Sequence, residues 1–394
     1  MTRNSWRLML GIYLFGVCGT SSVSKIVPLA GDFAGAFAFG AGTFGLFVSI
    51  FAFPAVVLAL TSALVVERFG SRTVLIAAAG TGVLTNAVFY LADDVALFWA
   101  ARLLEGVAVV HVYTAAPALM MRMMDGARRT TAMTVWSSYM PVGTALGMAM
   151  GGWFSETENW RMIFAVHGAM MAMALLVGLR LPQAGGQGPV GAGLAQRVAV
   201  LGKAVVQADL LAYALSYLIV IGLGIGITFA MPAYLARVGG YSMAEASGIV
   251  AATTLAMLAG SALAGGVFTR GIPVQRVFAL AACAGVIAGT FAFVPGLSRG
   301  QTYVVLACWF ASSGAAIAAL LAALPRIAGE ARLSAGAALV NQAGALATLI
   351  SPPIWLSLAA HSGWAIFGAI LALCWLIAVV LGAFLGRTTA MTSA

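Results

Sequence analysis

Apolar residues run along this chain in long blocks, not in the alternation of a half-buried strand or the stripe of a soluble amphipathic helix. Twelve blocks stand out, near residues 8–29, 42–66, 73–92, 95–121, 131–153, 162–181, 209–236, 244–268, 274–296, 301–325, 334–359 and 363–386. A helix needs about 20 apolar residues to cross the hydrocarbon of a bilayer. In lipid the backbone must bond within a helix or a closed barrel, and these blocks lack the two-residue alternation of a barrel strand. The pattern predicts an all-α integral membrane protein of twelve transmembrane helices. Composition agrees, with 62% hydrophobic and 8% charged residues, against about a quarter charged in soluble domains.

After the sixth block comes Pro182-Gln183-Ala184-Gly185-Gly186-Gln187-Gly188-Pro189, with the composition of a flexible linker. Downstream, Leu194, Val198, Leu201 and Val205 share one helical face and Gln196, Lys203 and Gln207 the other, as in a short helix lying on a membrane surface. The expected organisation is a first six-helix half over 1–181, a linker with an amphipathic helix over 182–208, and a second half over 209–394. The halves read as copies. Ser62-Ala63-Leu64 with Phe69 matches Ser261-Ala262-Leu263 with Phe268 at an offset of 199 residues. Pro28 matches Pro232, Gly45 matches Gly248 and Trp160 matches Trp364, at offsets of 204, 203 and 204. A nearly constant register across a whole half is the signature of two parallel repeats.

The formal charge of +9 raises the question of nucleic acid, and its placement answers it. With the N-terminus in the cytoplasm, the inner loops hold Arg3, Arg7, Arg68, Arg72, Arg122, Arg128, Arg129, Arg180, Arg197, Lys203, Arg270, Arg276, Arg326, Arg332 and Arg387. The outer loops hold only Arg161, Arg237 and Arg299, fifteen cations against three. This is the positive-inside bias of a plasma or bacterial inner membrane protein with both termini cytoplasmic. Cys18, Cys283, Cys308 and Cys374 all fall inside spans, away from loops where an oxidising compartment pairs thiols. Arg3 and Arg7 precede the first block as in a signal peptide, but that block is long and lacks a cleavage pattern, so it is expected to be retained as the first helix.

Between the second and third blocks lies Ala63-Leu64-Val65-Val66-Glu67-Arg68-Phe69-Gly70-Ser71-Arg72, a short charged turn with a glycine suited to positive φ. It resembles the loop of the major facilitator superfamily that reads Gly-x-Leu-Ala-Asp-Arg-x-Gly-Arg-Arg-x-x-x-Leu. It is similar at Arg68, Gly70 and Arg72, and departs at Ala63, Val65, Glu67 and Ser71. Arg102-Leu103-Leu104-Glu105-Gly106 in the fourth block resembles the family's Arg-x-x-x-Gly signature, and Trp160-Arg161 resembles the aromatic-cation start of its sixth helix. The order of these motifs covers essentially the whole chain. The fifth block departs from the Gly-Pro of the family's proton-driven exporters, carrying Pro141-Val142-Gly143 and then Gly147 and Gly151. That row, at four-residue spacing, reads as a seam for close helix packing. The resemblance implies secondary transport by alternating access, a cavity lined by helices 1, 4, 7 and 10, and a gating hinge at Glu67, Arg68, Gly70 and Arg72. Glu67 and Arg72 are expected to reach helices of the other half.

A charge held mid-span costs about 2.5–3.5 kcal/mol on insertion scales, so Lys25, Arg102 and Glu105 each need a reason. Arg102 and Glu105 lie three apart on one helical face, which Gly106, Val109 and Tyr113 continue. Lys25 shares a stripe with Cys18, Ser21 and Ser22. An unpaired lysine facing a cavity suits an anion, so the expected solute is a small organic anion held between Lys25 and Arg102, with Ser21, Ser22, Tyr113, Tyr217, Trp309 and Asn341 completing the site. Glu105, the one acid deep in a span, is expected to carry a coupled proton. Tyr213, Thr228, Ser312 and Ser313 add only uncharged polarity to the second half, and His111 reads as a packing residue. Pro352-Pro353 is expected to break the eleventh helix. The alternatives are a proton-driven efflux carrier for amphipathic cations and, from another class, a polytopic membrane enzyme or a sensor. No metal-ligand cluster, nucleotide loop or cofactor motif is present in the sequence. The expected partners are the solute, protons and membrane lipids, and the expected state is a monomer. Reporter fusions should place Arg129 and Arg387 in the cytoplasm and Asp94 outside. A cytoplasmic signal after Asp94 overturns the topology.

Overall fold

The computed structural model describes residues 3–183 and 193–383, and the regular structure among them is all helical, with no strand. In chain order the helices are α1 (Arg3–Ser24), α2 (Ala30–Phe37), α3 (Ala41–Ser49), α4 (Phe53–Phe69), α5 (Ser71–Leu91), α6 (Val95–Met123), α7 (Gly126–Ser137), α8 (Tyr139–Phe154) and α9 (Met162–Arg180). They continue as α10 (Leu194–Val205), α11 (Ala208–Arg237), α12 (Met243–Thr254), α13 (Ala256–Phe268), α14 (Val274–Ala292), α15 (Arg299–His361) and α16 (Trp364–Ala383). Eleven helical stretches among the described residues are long and apolar enough to span a membrane. The block at 131–153 is the twelfth, divided by a turn at Ser138 into α7 and the 16-residue α8.

The flexible stretch expected at 182–189 lies largely outside the described residues, and a helix forms after it as α10. Gly70 takes φ 81°, which ends α4 and starts α5 without a Cβ penalty. Two expectations are corrected. Helix α15 runs through Pro352 and Pro353, which membrane helices tolerate when the freed carbonyls find other donors. Its break falls instead at Gly329, with φ 63° and ψ 173°. The first block is also less continuous than expected. Helix α1 stops at Ser24, and the chain re-forms as a 3-10 turn over Val27–Leu29 before α2.

The helices gather into two compact units: residues Met1–Gly40 with Phe47–Leu194, and Ala41–Leu46 with Ala195–Ala394. In the first unit the buried core around Met9, Ile12, Leu75, Leu119, Met120 and Trp136 holds α1, α5, α6 and α9 together. Toward the α2 end, fully buried Phe33, Phe89, Phe98 and Phe164 interlock with ring centroids 5.0 to 6.4 Å apart. Arg161 closes this aromatic group, stacking on Trp160 at 5.3 Å and pairing with Asp93 at 2.9 Å. In the second unit Tyr213 donates to the Leu320 carbonyl at 2.7 Å, Trp309 meets Trp375 edge-on at 6.0 Å, and Arg332 pairs with Asp209 at 3.0 Å.

The glycine row of α8 does what its spacing suggests. A Cβ on Gly143 would meet the Val17 carbonyl oxygen at 2.7 Å, and one on Gly147 would meet the Lys25 nitrogen and the Ser21 carbonyl oxygen at 2.8 Å. One on Gly151 would strike the Lys25 carbonyl. These obstacles are backbone and cannot rotate away. Gly147→Ala should therefore destabilise the protein by about 1–3 kcal/mol, whereas Gly265→Ala, with nothing within 4 Å of the added carbon, should be neutral or stabilising. Thermal unfolding of the two purified variants checks the contrast.

Candidate functional site: a buried ion cluster

Lys25 occupies the point where α1 gives way. Its N–H still bonds the Ser21 carbonyl at 3.0 Å, the next residues turn, and its backbone lies in the groove left by Gly147 and Gly151. From there the side chain enters the space between α5, α6 and α9. Its ammonium lies 2.7 Å from Asn86 Oδ1, 2.9 Å from His167 Nδ1 and 3.3 Å from Glu105 Oε1. An ammonium carries three N–H groups, and three acceptors meet them. The rings of Phe164 and Phe89 lie 5.4 and 5.8 Å from it, within cation–π range.

Glu105 binds Arg102 through its other oxygen. The guanidinium does more than pair. It donates from Nε to the Phe47 carbonyl at 3.3 Å, from Nη1 to the Ser22 carbonyl at 3.0 Å and from Nη2 to the Val48 carbonyl at 2.9 Å, and lies 4.8 Å from the Phe51 ring. Phe47 and Val48 belong to the last turn of α3, where it passes into a 3-10 turn over Ile50–Ala52, and carbonyls at a helix end are open to side-chain donors. The planar fork of an arginine suits such a task. Gly106, one residue past Glu105, makes the approach possible, since a side chain there would collide with the Phe51 carbonyl.

His167 and Asn86 complete the cluster, and the sequence reading had singled out neither. Their signal was present, as polar residues in the middle of apolar blocks, but nothing tied them to Lys25. Asn86 donates from its amide to the Gly82 carbonyl at 2.7 Å, which fixes its oxygen toward Lys25 and His167. His167 Nε2 lies 3.0 Å from Ser21 Oγ and 3.2 Å from the Cys18 carbonyl oxygen. Ser21 and Ser22 also donate to that carbonyl, at 3.0 and 3.2 Å. Lys25, Arg102, Glu105, His167, Ser21 and Ser22 are all 0% exposed.

The residues of the expected anion site are placed as follows. Lys25 is not unpaired, Arg102 is occupied with carbonyls and Glu105, and Ser21 and Ser22 face the bundle interior. Tyr113 lies apart, half-buried, with its hydroxyl 2.9 Å from Thr20 Oγ1 and its ring 5.1 Å from Tyr139. Tyr217, Trp309 and Asn341 belong to the second unit, where Tyr217 is half-buried, Trp309 packs in the core against Gly289 and Trp375, and Asn341 is exposed. His111 bonds a carbonyl of its own helix, Val107, at 2.7 Å. In the hinge, Arg68 stacks on Phe69 at 5.5 Å. Arg72 donates to Leu179 and Gly178 carbonyls at 2.7 and 3.4 Å, so its bonds tie α5 to α9 within the first unit. Glu67 is half-buried. Among the described residues no group of His, Cys, Asp and Glu could hold a metal ion.

A model of the Major Facilitator Superfamily matches residues 9–352. Among solved structures, a bacterial homolog of the human lysosomal transporter Spinster, in an inward-facing and unoccupied conformation, is similar over 98% of this chain and 97% of its own. The TM-score is 0.73 at 14% identity, a likeness of fold. No curated protein matches the chain.

The two cations of the cluster should differ in their effect on stability. Arg102→Met strips three carbonyls of donors and leaves Glu105 with Lys25 alone, and breaking a buried pair typically costs about 3–5 kcal/mol. Lys25→Met leaves the Arg102–Glu105 pair intact and should cost little. Thermal unfolding of the two variants in one detergent checks the order, and equal losses contradict it.

Proposed function

The chain belongs to the major facilitator superfamily, and from that premise we propose that it couples the movement of a small organic solute to protons, with the cluster of Lys25, Glu105 and Arg102 as its coupling element. Family and fold make it a multi-pass membrane protein and a secondary transporter, not an enzyme. One observation carries the finer reading: Lys25, Arg102 and Glu105 lie fully buried in the first unit, two cations against one carboxylate. Intramembrane charges of this kind are costly and typically mark proton or ion relays. Gaining or losing one proton changes the net charge of a sealed group, and so shifts the balance between conformations that differ in access to water. The arginine-rich loops favour cytoplasmic termini in a bacterial inner membrane. Glu67, Arg68, Gly70 and Arg72 are the proposed hinge, in which Arg72 keeps the start of α5 on the end of α9.

A second reading concerns the solute. The excess positive charge of the cluster favours a negatively charged solute, whose field would act on the cluster without contact in the closed arrangement. An efflux carrier for amphipathic cations is the competing assignment. Uptake by proteoliposomes against a panel of organic anions and cationic dyes, with and without a pH gradient, separates the two. Glu105→Gln should abolish accumulation driven by the gradient and spare exchange of labelled for unlabelled solute. If gradient-driven accumulation survives, Glu105 is structural and the proton is carried by another group.

A further inference from the structure

We infer that His167 is the proton acceptor for Lys25, so that the mobile proton of the cluster passes from Lys25 Nζ to His167 Nδ1 while Glu105 stays a fixed counter-charge. In transport this rests on the proton-coupling reading above. The hydrogen-bond assignment stands without it.

Charge counting comes first. Arg102 keeps its proton under all ordinary conditions, and Glu105 balances it at a bonded distance. Lys25 then supplies one uncompensated positive charge in a region closed to water. Protonating Glu105 would raise the buried charge to two, whereas releasing the Lys25 proton lowers it to zero. Since burial penalises net charge, the proton that moves in this proposal belongs to Lys25 and not to Glu105.

Geometry then selects the acceptor. The ammonium has three partners. The Asn86 amide oxygen does not retain a proton. A proton moved to Glu105 is held between Lys25 and Arg102, which face its two oxygens, and has no onward partner. Only the imidazole of His167 takes a proton on one nitrogen and gives it up from the other. Its Nδ1 faces Lys25 at 2.9 Å, and its Nε2 faces Ser21 Oγ and the Cys18 carbonyl on the far side of the ring.

In the resting form Nδ1 is bare and accepts from Lys25, while Nε2–H donates to the Cys18 carbonyl or Ser21 Oγ. In the transfer the Nζ–H bond breaks and an Nδ1–H bond forms. Lys25 keeps its lone pair as a neutral amine, and the imidazolium donates from Nδ1 to Asn86 Oδ1, 3.1 Å away. The Nε2 proton then leaves to a water molecule admitted on the Ser21 side when the unit opens. Reprotonation of Nε2 by water and return of the Nδ1 proton to Lys25 restore the start. Asn86 suits both ends of the step, because its oxygen accepts from whichever partner holds the proton. The groups facing this pair are Cys18 and Ser21 from α1, Asn86 from α5, and Arg102 and Glu105 from α6. Helix α8 presents Gly147 and Gly151 to the Lys25 backbone.

Histidine-selective 15N labelling and solid-state NMR in lipid vesicles test the assignment, with the His167 signals identified by their loss in His167→Gln. Wild-type protein near neutral pH should show His167 protonated at Nε2 and bare at Nδ1. In Lys25→Met the donor to Nδ1 is gone and a bare nitrogen would face the Asn86 oxygen lone pairs, so the ring should change to the Nδ1–H form. A wild-type ring protonated at Nδ1, or one unmoved in Lys25→Met, overturns the assignment. For the transport arm, His167→Gln should lose gradient-driven accumulation and keep exchange. A wild type indifferent to the pH gradient sinks the coupling reading, whereas a responsive wild type with an unaffected His167→Gln sinks the relay alone.

Discussion

The cost of holding charge away from water governs the first unit. Arg102 would be untenable inside an apolar bundle on its own. It is accommodated because each of its three guanidinium nitrogens meets an oxygen: a carboxylate on its own helix, the Ser22 carbonyl of α1 and two carbonyls at the end of α3. One side chain thereby fastens three helices. Several other features follow from that requirement. Gly106 lets α6 approach the Phe51 carbonyl closely, the aromatic group around Phe98 and Phe33 keeps water out from the α2 end, and the apolar core around Leu119 and Met120 closes the opposite side.

The second unit faces no such constraint. Among the described residues its buried polar groups are all uncharged, and many are satisfied locally: Ser312 and Ser313 by the Trp309 carbonyl, Thr228 by the Gly224 carbonyl. The two repeats diverge most visibly at a shared residue. Pro232 sits within an unbroken α11, whereas its counterpart Pro28 lies in the 3-10 turn that follows the break at Lys25. A proline alone does not decide whether a helix stops. In the first unit the chain departs from the helix where a lysine must be aimed into the bundle.

The twelve blocks were legible because lipid imposes one length and one backbone solution on every span. Gly70, the α8 glycines and the helix α10 could be read because each depends on local geometry alone. Lys25, Arg102 and Glu105 were visible as charges where charge is expensive. Their partners were not. Asn86 and His167 carry no formal charge that would mark them in an apolar block, and they lie 61 and 142 residues from Lys25, so nothing in the sequence pairs them. The carbonyls that hold Arg102 are harder still, since every residue supplies one. The expectation of an unpaired Lys25 has the same origin, because its partners Asn86 and His167 do not show when side-chain charges alone are counted. Pro352-Pro353 misled in the opposite sense, because neighbouring helices can satisfy what a proline frees.

The two cations of the cluster are therefore not equivalent, and the difference gives the site its direction. Arg102 cannot release its proton and holds carbonyls whatever the state of Glu105, so the pair behaves as a fixed dipole built into α6. Lys25 hangs from the broken end of α1, held by one carboxylate and two neutral groups, and its backbone is wedged against the glycine seam of α8. Loss of its charge weakens the attraction to Glu105 and to the flanking Phe89 and Phe164 rings together. The element that feels this change is the segment with the least helical reinforcement, the turn between Ser24 and Val27. In the proposed transfer a proton moving over a distance of about one hydrogen bond would act where α1 is already divided, and the α8 contact would pass the change to a second helix that carries no charge in the cluster itself.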